Sequence, residues 1–93
     1  MILIDECVSH HLKEFLEANG LEERIICVSQ EEGLRGKSDE FLTGYSIGAE
    51  FAFDKPSVLI TRDYAFHNDF YGRKVMYSHS NWYGMFKYLK KVL

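Results

Sequence analysis

Four short apolar runs punctuate the chain: Met1-Ile-Leu-Ile4, Arg24-Ile-Ile-Cys-Val28, Val58-Leu-Ile-Thr61 and Lys74-Val-Met-Tyr77. Runs of this length without polar alternation mark strands covered on both faces, as in a parallel sheet flanked by helices. Between them the apolar positions adopt helical spacing. Val8, Leu12, Phe15 and Leu16 trace one helix face, and Asn19-Gly20 supplies its stop. Ser38 is a natural N-cap, with Asp39 and Glu40 in the first turn, and Phe41, Tyr45, Gly48, Ala49 and Ala52 follow at helical intervals. Asp54-Lys-Pro-Ser57 breaks that helix, and a short aromatic helical segment is predicted over about Tyr64 to Tyr71. Ser80 or Asn81 caps a last helix carrying Trp82, Met85, Phe86, Leu89 and Val92 on one face, and Gln30 to Lys37, with Gly33 and Gly36, reads as a loop.

Strands alternating with helices predict an α/β fold, a three-layer α/β/α sandwich with a four-stranded, mainly parallel sheet. The 93 residues form a single domain, 1–93, with no internal repeat and no linker. Such sheets take ligands at the carboxyl ends of their strands, where the strand order reverses. With the order 2-1-3-4, the first and third strands are neighbours at that point, and Asp5 and Asp63 leave the sheet side by side.

Composition narrows the class. Hydrophobic residues make up 46% of the chain and charged residues 27%, with one proline, which excludes a disordered or low-complexity protein. No apolar run approaches the roughly 18 to 20 residues that span a bilayer, so no membrane partner is expected. The amino terminus lacks a secretory pattern, and residue 1 is expected to begin the first strand of a cytoplasmic protein. In that compartment Cys7 and Cys27 are expected to stay reduced. The net charge of -3 conceals an asymmetry: residues 1–61 hold 12 acidic and 5 basic side chains, whereas residues 62–93 hold 6 basic and 2 acidic ones. The second part attracts polyanions and the first repels them.

Carboxylates converging at one sheet edge repel one another unless a cation lies between them, and oxygen-only donors favour Mg²⁺ or Mn²⁺. Such an ion binds a phosphodiester oxygen and activates water without a protein nucleophile. No glycine-rich phosphate cradle is present, which argues against a kinase or ATPase. Cys7 with His10 and His11 lacks the further ligands of a closed zinc site, and a cysteine phosphatase would need arginine where Lys13 stands. Arg62, Arg73 and Lys74 suit RNA phosphates, and Lys87, Lys90 and Lys91 lie interleaved with Tyr83 and Tyr88. A phosphoacceptor receiver would share the acidic pocket but needs a fifth strand carrying lysine, which this chain does not supply.

Ile4-Asp5-Glu6 before a helix, Gly36-Lys-Ser-Asp-Glu40 opening a second helix, and Val58-Leu-Ile-Thr-Arg-Asp63 followed by Phe66 together resemble the short PIN-like proteins. These are nucleases related to the VapC-type toxins and to the carboxy-terminal domain of the Mut7 exonuclease, and the resemblance runs in order along nearly the whole chain. It implies a PIN-like fold, an Mg²⁺- or Mn²⁺-dependent endoribonuclease, RNA as substrate, and the toxin role in a toxin–antitoxin pair with a cognate antitoxin protein. A homodimer through the aromatic-rich last helix is a further expected partner state. By position, Asp5, Asp39 and Asp63 are the catalytic carboxylates it implies, and Asp5, Asp39, Glu40, Asp63 and Asp69 the metal ligands. The sequence departs from the family where Ala65 replaces a second aspartate after Thr-Arg-Asp, and where Ser9 replaces a proline. The alternative function is a catalytically degraded PIN-like module that binds RNA or a protein.

Overall fold

A computed structural model describes residues 1–63 and 74–93, with the side chains of residues 74–76 outside the description. The elements are β1 (Ile2–Ile4), α1 (His11–Ala18), β2 (Ile25–Cys27), a 3₁₀ turn (Val28–Gln30), α2 (Asp39–Phe53), β3 (Val58–Thr61), β4 (Lys74–Tyr77) and α3 (Trp82–Val92). The helical segment expected over about Tyr64 to Tyr71 lies outside the described residues, as do Ala65, Asp69 and Arg73.

The strands form one parallel sheet in the order β2-β1-β3-β4. Ile2 stands opposite both Ile25 and Val58, and Ile4 opposite both Cys27 and Ile60. The chain therefore steps from β1 to β2 in one direction and from β2 across β1 to β3 in the other. Right-handed crossovers in opposite directions must leave their helices on opposite faces of the sheet. That is where they lie.

The period-two alternation of the strands divides the core accordingly. Ile2, Ile4, Ile25, Cys27, Val58 and Ile60 pack with Leu12 and Leu16 of α1 and with Met85, Phe86 and Leu89 of α3. Leu3, Ile26 and Leu59 point the other way, onto Leu42 of α2 with Met1, Val28 and Leu34. Strand residues 2–4, 25–27 and 58–61 are all buried, which is why they read as unbroken apolar runs. The α/β class with helices on both sides of a parallel sheet thus follows from the sequence pattern. No helix among the described residues is long and apolar enough to cross a membrane.

The caps are the expected ones. Ser38 Oγ accepts the Phe41 N–H at 3.2 Å, and Asn81 Oδ1 accepts the Gly84 N–H at 3.0 Å. At the end of α1, Gly20 takes φ 86° while its N–H bonds Glu17 O and the Leu21 N–H bonds Leu16 O. This Schellman closure satisfies two terminal carbonyls and turns Leu21 back onto the core. Lys90 and Lys91 lie in the last turn of α3, where they complement the helix dipole.

One expectation is corrected. Val8 does not open the first helix, which begins at His11. The Val8 N–H instead bonds Asp5 O at 3.0 Å, a tight turn that buries Val8 below the loop and leaves Asp5 to Cys7 at the sheet edge.

Each face of the sheet carries its own core. Leu12→Ala, under α1, and Leu59→Ala, under α2, should each lower the unfolding free energy by about 2–5 kcal/mol. Urea titration reads both, and a near-neutral result for either would mean that its face is not packed.

Candidate functional site

The site forms because β1 and β3 are neighbours and end together. The Asp5 N–H continues the ladder to Ile60 O at 2.9 Å, so Asp5 is held as a strand residue although its side chain has left the core. Thr61, the last residue of β3, is fully buried. Its hydroxyl donates to Asp5 Oδ2 at 2.7 Å and accepts the Asp63 N–H at 3.0 Å. One hydroxyl therefore ties the two acidic positions together, and each half of the bond sits at the carboxyl edge of the sheet.

The second carboxylate oxygen of Asp5 accepts the Glu6 N–H at 2.9 Å. Oδ1 keeps a further lone pair after this bond, whereas Oδ2 accepts both the Thr61 hydroxyl and the Cys7 thiol, so Asp5 is oriented but not used up. Cys7 Sγ lies 3.5 Å from Asp5 Oδ2 and 3.6 Å from Thr61 Oγ1, and it accepts the Arg62 N–H at 3.3 Å. The thiol thus closes a small ring of contacts that links the loop after β1 to the loop after β3. Glu6 reaches the other way, where its Oε1 accepts the Gly36 N–H. Gly36 adopts φ 75°, a left-handed conformation that glycine takes without strain, and it lies two residues before the Ser38 cap. Glu6 thereby fastens the approach to α2.

Asp39 is half-buried at the start of α2, its carbonyl accepting the Thr43 hydroxyl at 2.9 Å, and Glu40 is exposed beside it. These two acids do not join Asp5 and Asp63 in one cluster. Among the described residues no group of three or more His, Cys, Asp or Glu side chains is placed to hold a metal ion together. What the sheet edge sets beside each other is a pair of positions, Asp5 and Asp63, just past the ends of the neighbouring strands β1 and β3. A pair of carboxylates completed by water and phosphate oxygens is a normal Mg²⁺ donor set, so the residues present fit a hard divalent ion.

Beside the pair lies a groove of about 280 Å³ with a different character, lined by Val8, Ser9, Arg62, Ser78, His79, Ser80 and Trp82. Among the described residues that line it, none is acidic. Ser78 is anchored through its N–H to Thr61 O at 2.8 Å, which sets the end of β4 against the end of β3. His79 Nδ1 accepts the Asn81 N–H at 3.1 Å, so the neutral imidazole carries its proton on Nε2. The groove therefore offers a guanidinium, hydroxyls and an imidazole N–H, all donors suited to an anion.

Sequence reasoning named Asp5, Asp63 and Arg62 at this edge but missed Cys7, Thr61 and His79 as parts of it. Thr61 carried a signal, a hydroxyl residue ending an otherwise aliphatic strand, whereas His79 depends on how β4 ends beside β3. Of the other basic residues expected to meet RNA, Lys74 begins β4 and Arg73 lies outside the described residues. Comparison of the chain with protein-family models, curated proteins and solved structures finds no match.

Both thiols are free, Cys7 exposed and Cys27 buried in β2. Burial pushes the Cys27 thiol above its ordinary range, outweighing the opposite effect of Lys13, so it stays protonated where an exposed thiol begins to ionise. Iodoacetamide at mildly alkaline pH should label Cys7 in the folded protein and Cys27 only in urea, as read by peptide mass mapping. Thr61→Val should cost about 1–3 kcal/mol in urea unfolding by stranding the Asp63 N–H and Asp5, and Thr61→Ser should recover most of the loss. Equal stability of the valine and serine variants would remove Thr61 from its bridging role.

Proposed function

We propose that this protein is a metal-dependent endoribonuclease with a PIN-like fold. The observation that carries the reading is the Asp5–Thr61–Asp63 connection at the switch point of the sheet, beside a groove whose described lining residues offer anion donors. A carboxylate pair next to a cationic groove divides the labour that phosphodiester cleavage requires.

In this mechanism Asp5 and Asp63 hold a Mg²⁺ or Mn²⁺ ion, which when bound supplies Lewis acidity at the phosphate and lowers the pKa of water. Thr61 keeps the Asp5 carboxylate in one rotamer by donating to it. Arg62 and His79 Nε2–H receive a phosphate oxygen of the substrate, and the serines of the groove orient it. Asp39 and Glu40, in the first turn at the positive end of α2, belong to the reading as further acids. Asp69, Arg73 and Lys74 belong to the same reading as further ligand and RNA contacts. The role of toxin paired with a cognate antitoxin, in the cytoplasm, belongs to it as well.

A second reading is favoured by one specific feature. With Ala65 in place of a carboxylate, and with no group of three or more ligating side chains among the described residues, a module that binds RNA without cutting it would use the same groove.

Cleavage of a mixed-sequence RNA in Mn²⁺ should be abolished by EDTA and reduced at least about 100-fold in Asp5→Asn and in Asp63→Asn, with His79→Ala weakening substrate binding. RNA bound equally well in EDTA and left intact by folded wild type would replace the nuclease with the binding module. Cleavage that survives both asparagine substitutions would overturn the site assignment itself.

A further inference from the structure

The groove beside the acidic pair holds one feature that phosphate binding leaves unused. Trp82, the single tryptophan of the chain, lines it together with Arg62, His79 and three serines. It is the first residue of α3 and only half-buried, whereas Met85, Phe86 and Leu89 further along the helix reach the core. Phe15 of α1 meets the indole at 61° with the ring centroids 5.7 Å apart, and this edge contact fixes its plane. Among the described residues no cation lies over the indole, whereas Tyr83 and Phe86 already carry Lys87 and Lys90. Arg62 likewise has no acidic partner among the described residues. Ring and guanidinium thus share one groove.

The entry to α3 holds that ring in place. The Trp82 N–H bonds Ser80 O at 3.1 Å, the Asn81 N–H bonds His79 Nδ1 at 3.1 Å, and the Gly84 N–H bonds Asn81 Oδ1 at 3.0 Å. A Cβ at Gly84 would come within 2.7 Å of the Asn81 side chain, so a larger residue there would displace the cap. One chain of bonds therefore positions His79 and Trp82 together, and Arg62, from the loop after β3, lines the same space.

We propose that Trp82 is a stacking platform for one unpaired base of a single-stranded RNA, whose adjoining phosphate lies on Arg62 and His79 Nε2–H. A nucleotide is a flat base joined to an anion, and the groove offers a counterpart to each part: an indole, which stacks with any base, and a guanidinium with an imidazole N–H. Its volume of about 280 Å³ lies at the lower end of small-ligand sites, roughly 300–1,000 Å³, which suits a single nucleotide. A duplex keeps its bases stacked on one another and presents none to such a ring. Arg62 directly precedes Asp63, and Val8 and Ser9 follow Asp5 in the loop after β1, so the stacked nucleotide is a close neighbour of the phosphodiester at the acidic pair. The inference rests on the RNA reading given above, and it holds whether or not the strand is cut.

As the single tryptophan, Trp82 reports on the groove through its own emission. In EDTA, where a metal-dependent nuclease does not cut, an oligouridylate of about eight nucleotides should quench it. An abasic ribose-phosphate strand of the same length should bind at least about fivefold more weakly. Anisotropy of end-labelled strands then reads the variants. Trp82→Leu, which keeps an apolar side chain against Phe15, should weaken the uridylate at least about fivefold and leave the abasic strand unchanged, and Trp82→Phe should recover most of the loss. Arg62→Gln should weaken both strands alike. A wild type that binds neither strand, equal affinity for the two, bound uridylate without quenching, or a leucine variant that weakens both strands or neither would each overturn the proposal. Mn²⁺-dependent cleavage that persists in such a case leaves the nuclease standing without the platform. Base-dependent quenching by a protein that never cleaves RNA leaves the platform standing without the nuclease.

Discussion

The parallel pairing of β1 with β3 is the constraint from which the rest of the molecule follows. Once Ile2, Leu3 and Ile4 stand in register with Val58, Leu59 and Ile60, β2 must take the outer side of β1, and the two crossovers must run in opposite directions. Handedness then sends α1 and α2 to opposite faces. The same register makes Asp5 and Thr61 end their strands together, and the 2.7 Å bond between them is the ladder's continuation in side-chain atoms. Shifting β3 by one residue would turn Leu59 toward α1 and break that bond at once. Core and site are therefore specified by one pairing.

The edge that results is electrically divided. Asp5 and Asp63 present oxygen acceptors, whereas Arg62, Ser78 and His79 present donors in the groove beside them. The boundary between the two regions is the short segment Thr61 to Asp63, whose atoms serve both sides: the Thr61 hydroxyl holds the acids and its carbonyl holds Ser78. Cys7 adds a bond from the thiol to the backbone of Arg62, so the loop that carries Asp5 and the loop that carries Asp63 are fixed to each other.

Much of this was legible in the residues. Apolar runs closed by Asp5 and by Arg62-Asp63 gave the strands and their ends, and Ser38, Asn81 and Gly20 gave the helix boundaries where local bonds decide them. Val8 was misplaced because an apolar residue at helical spacing has the same periodicity whether it belongs to the helix or packs under the loop before it. The Asp5–Val8 turn, a tertiary consequence of where β1 stops, decided between the two. Thr61 and His79 were missed for a related reason, since Thr61 acts on a carboxylate 56 residues away and His79 reaches the edge because the Ser78 N–H bonds Thr61 O. The expected gathering of Asp39 and Glu40 with Asp5 rested on their position in the chain, and α2 leaves them outside one described cluster.

The central claim is that the carboxyl ends of β1 and β3 form a single cation site held by Asp5 and Asp63. Substoichiometric Mn²⁺ added to ¹⁵N-labelled protein tests it without reference to catalysis, because paramagnetic broadening reports distance from the ion. The account predicts selective loss of the Glu6, Cys7, Arg62 and Asp63 amide signals, unchanged signals from the opposite edge around Glu22 and Lys55, and no selective loss in Asp63→Asn. Broadening centred on the Glu22-Glu23 edge, or spread evenly over the acidic surface, would contradict it.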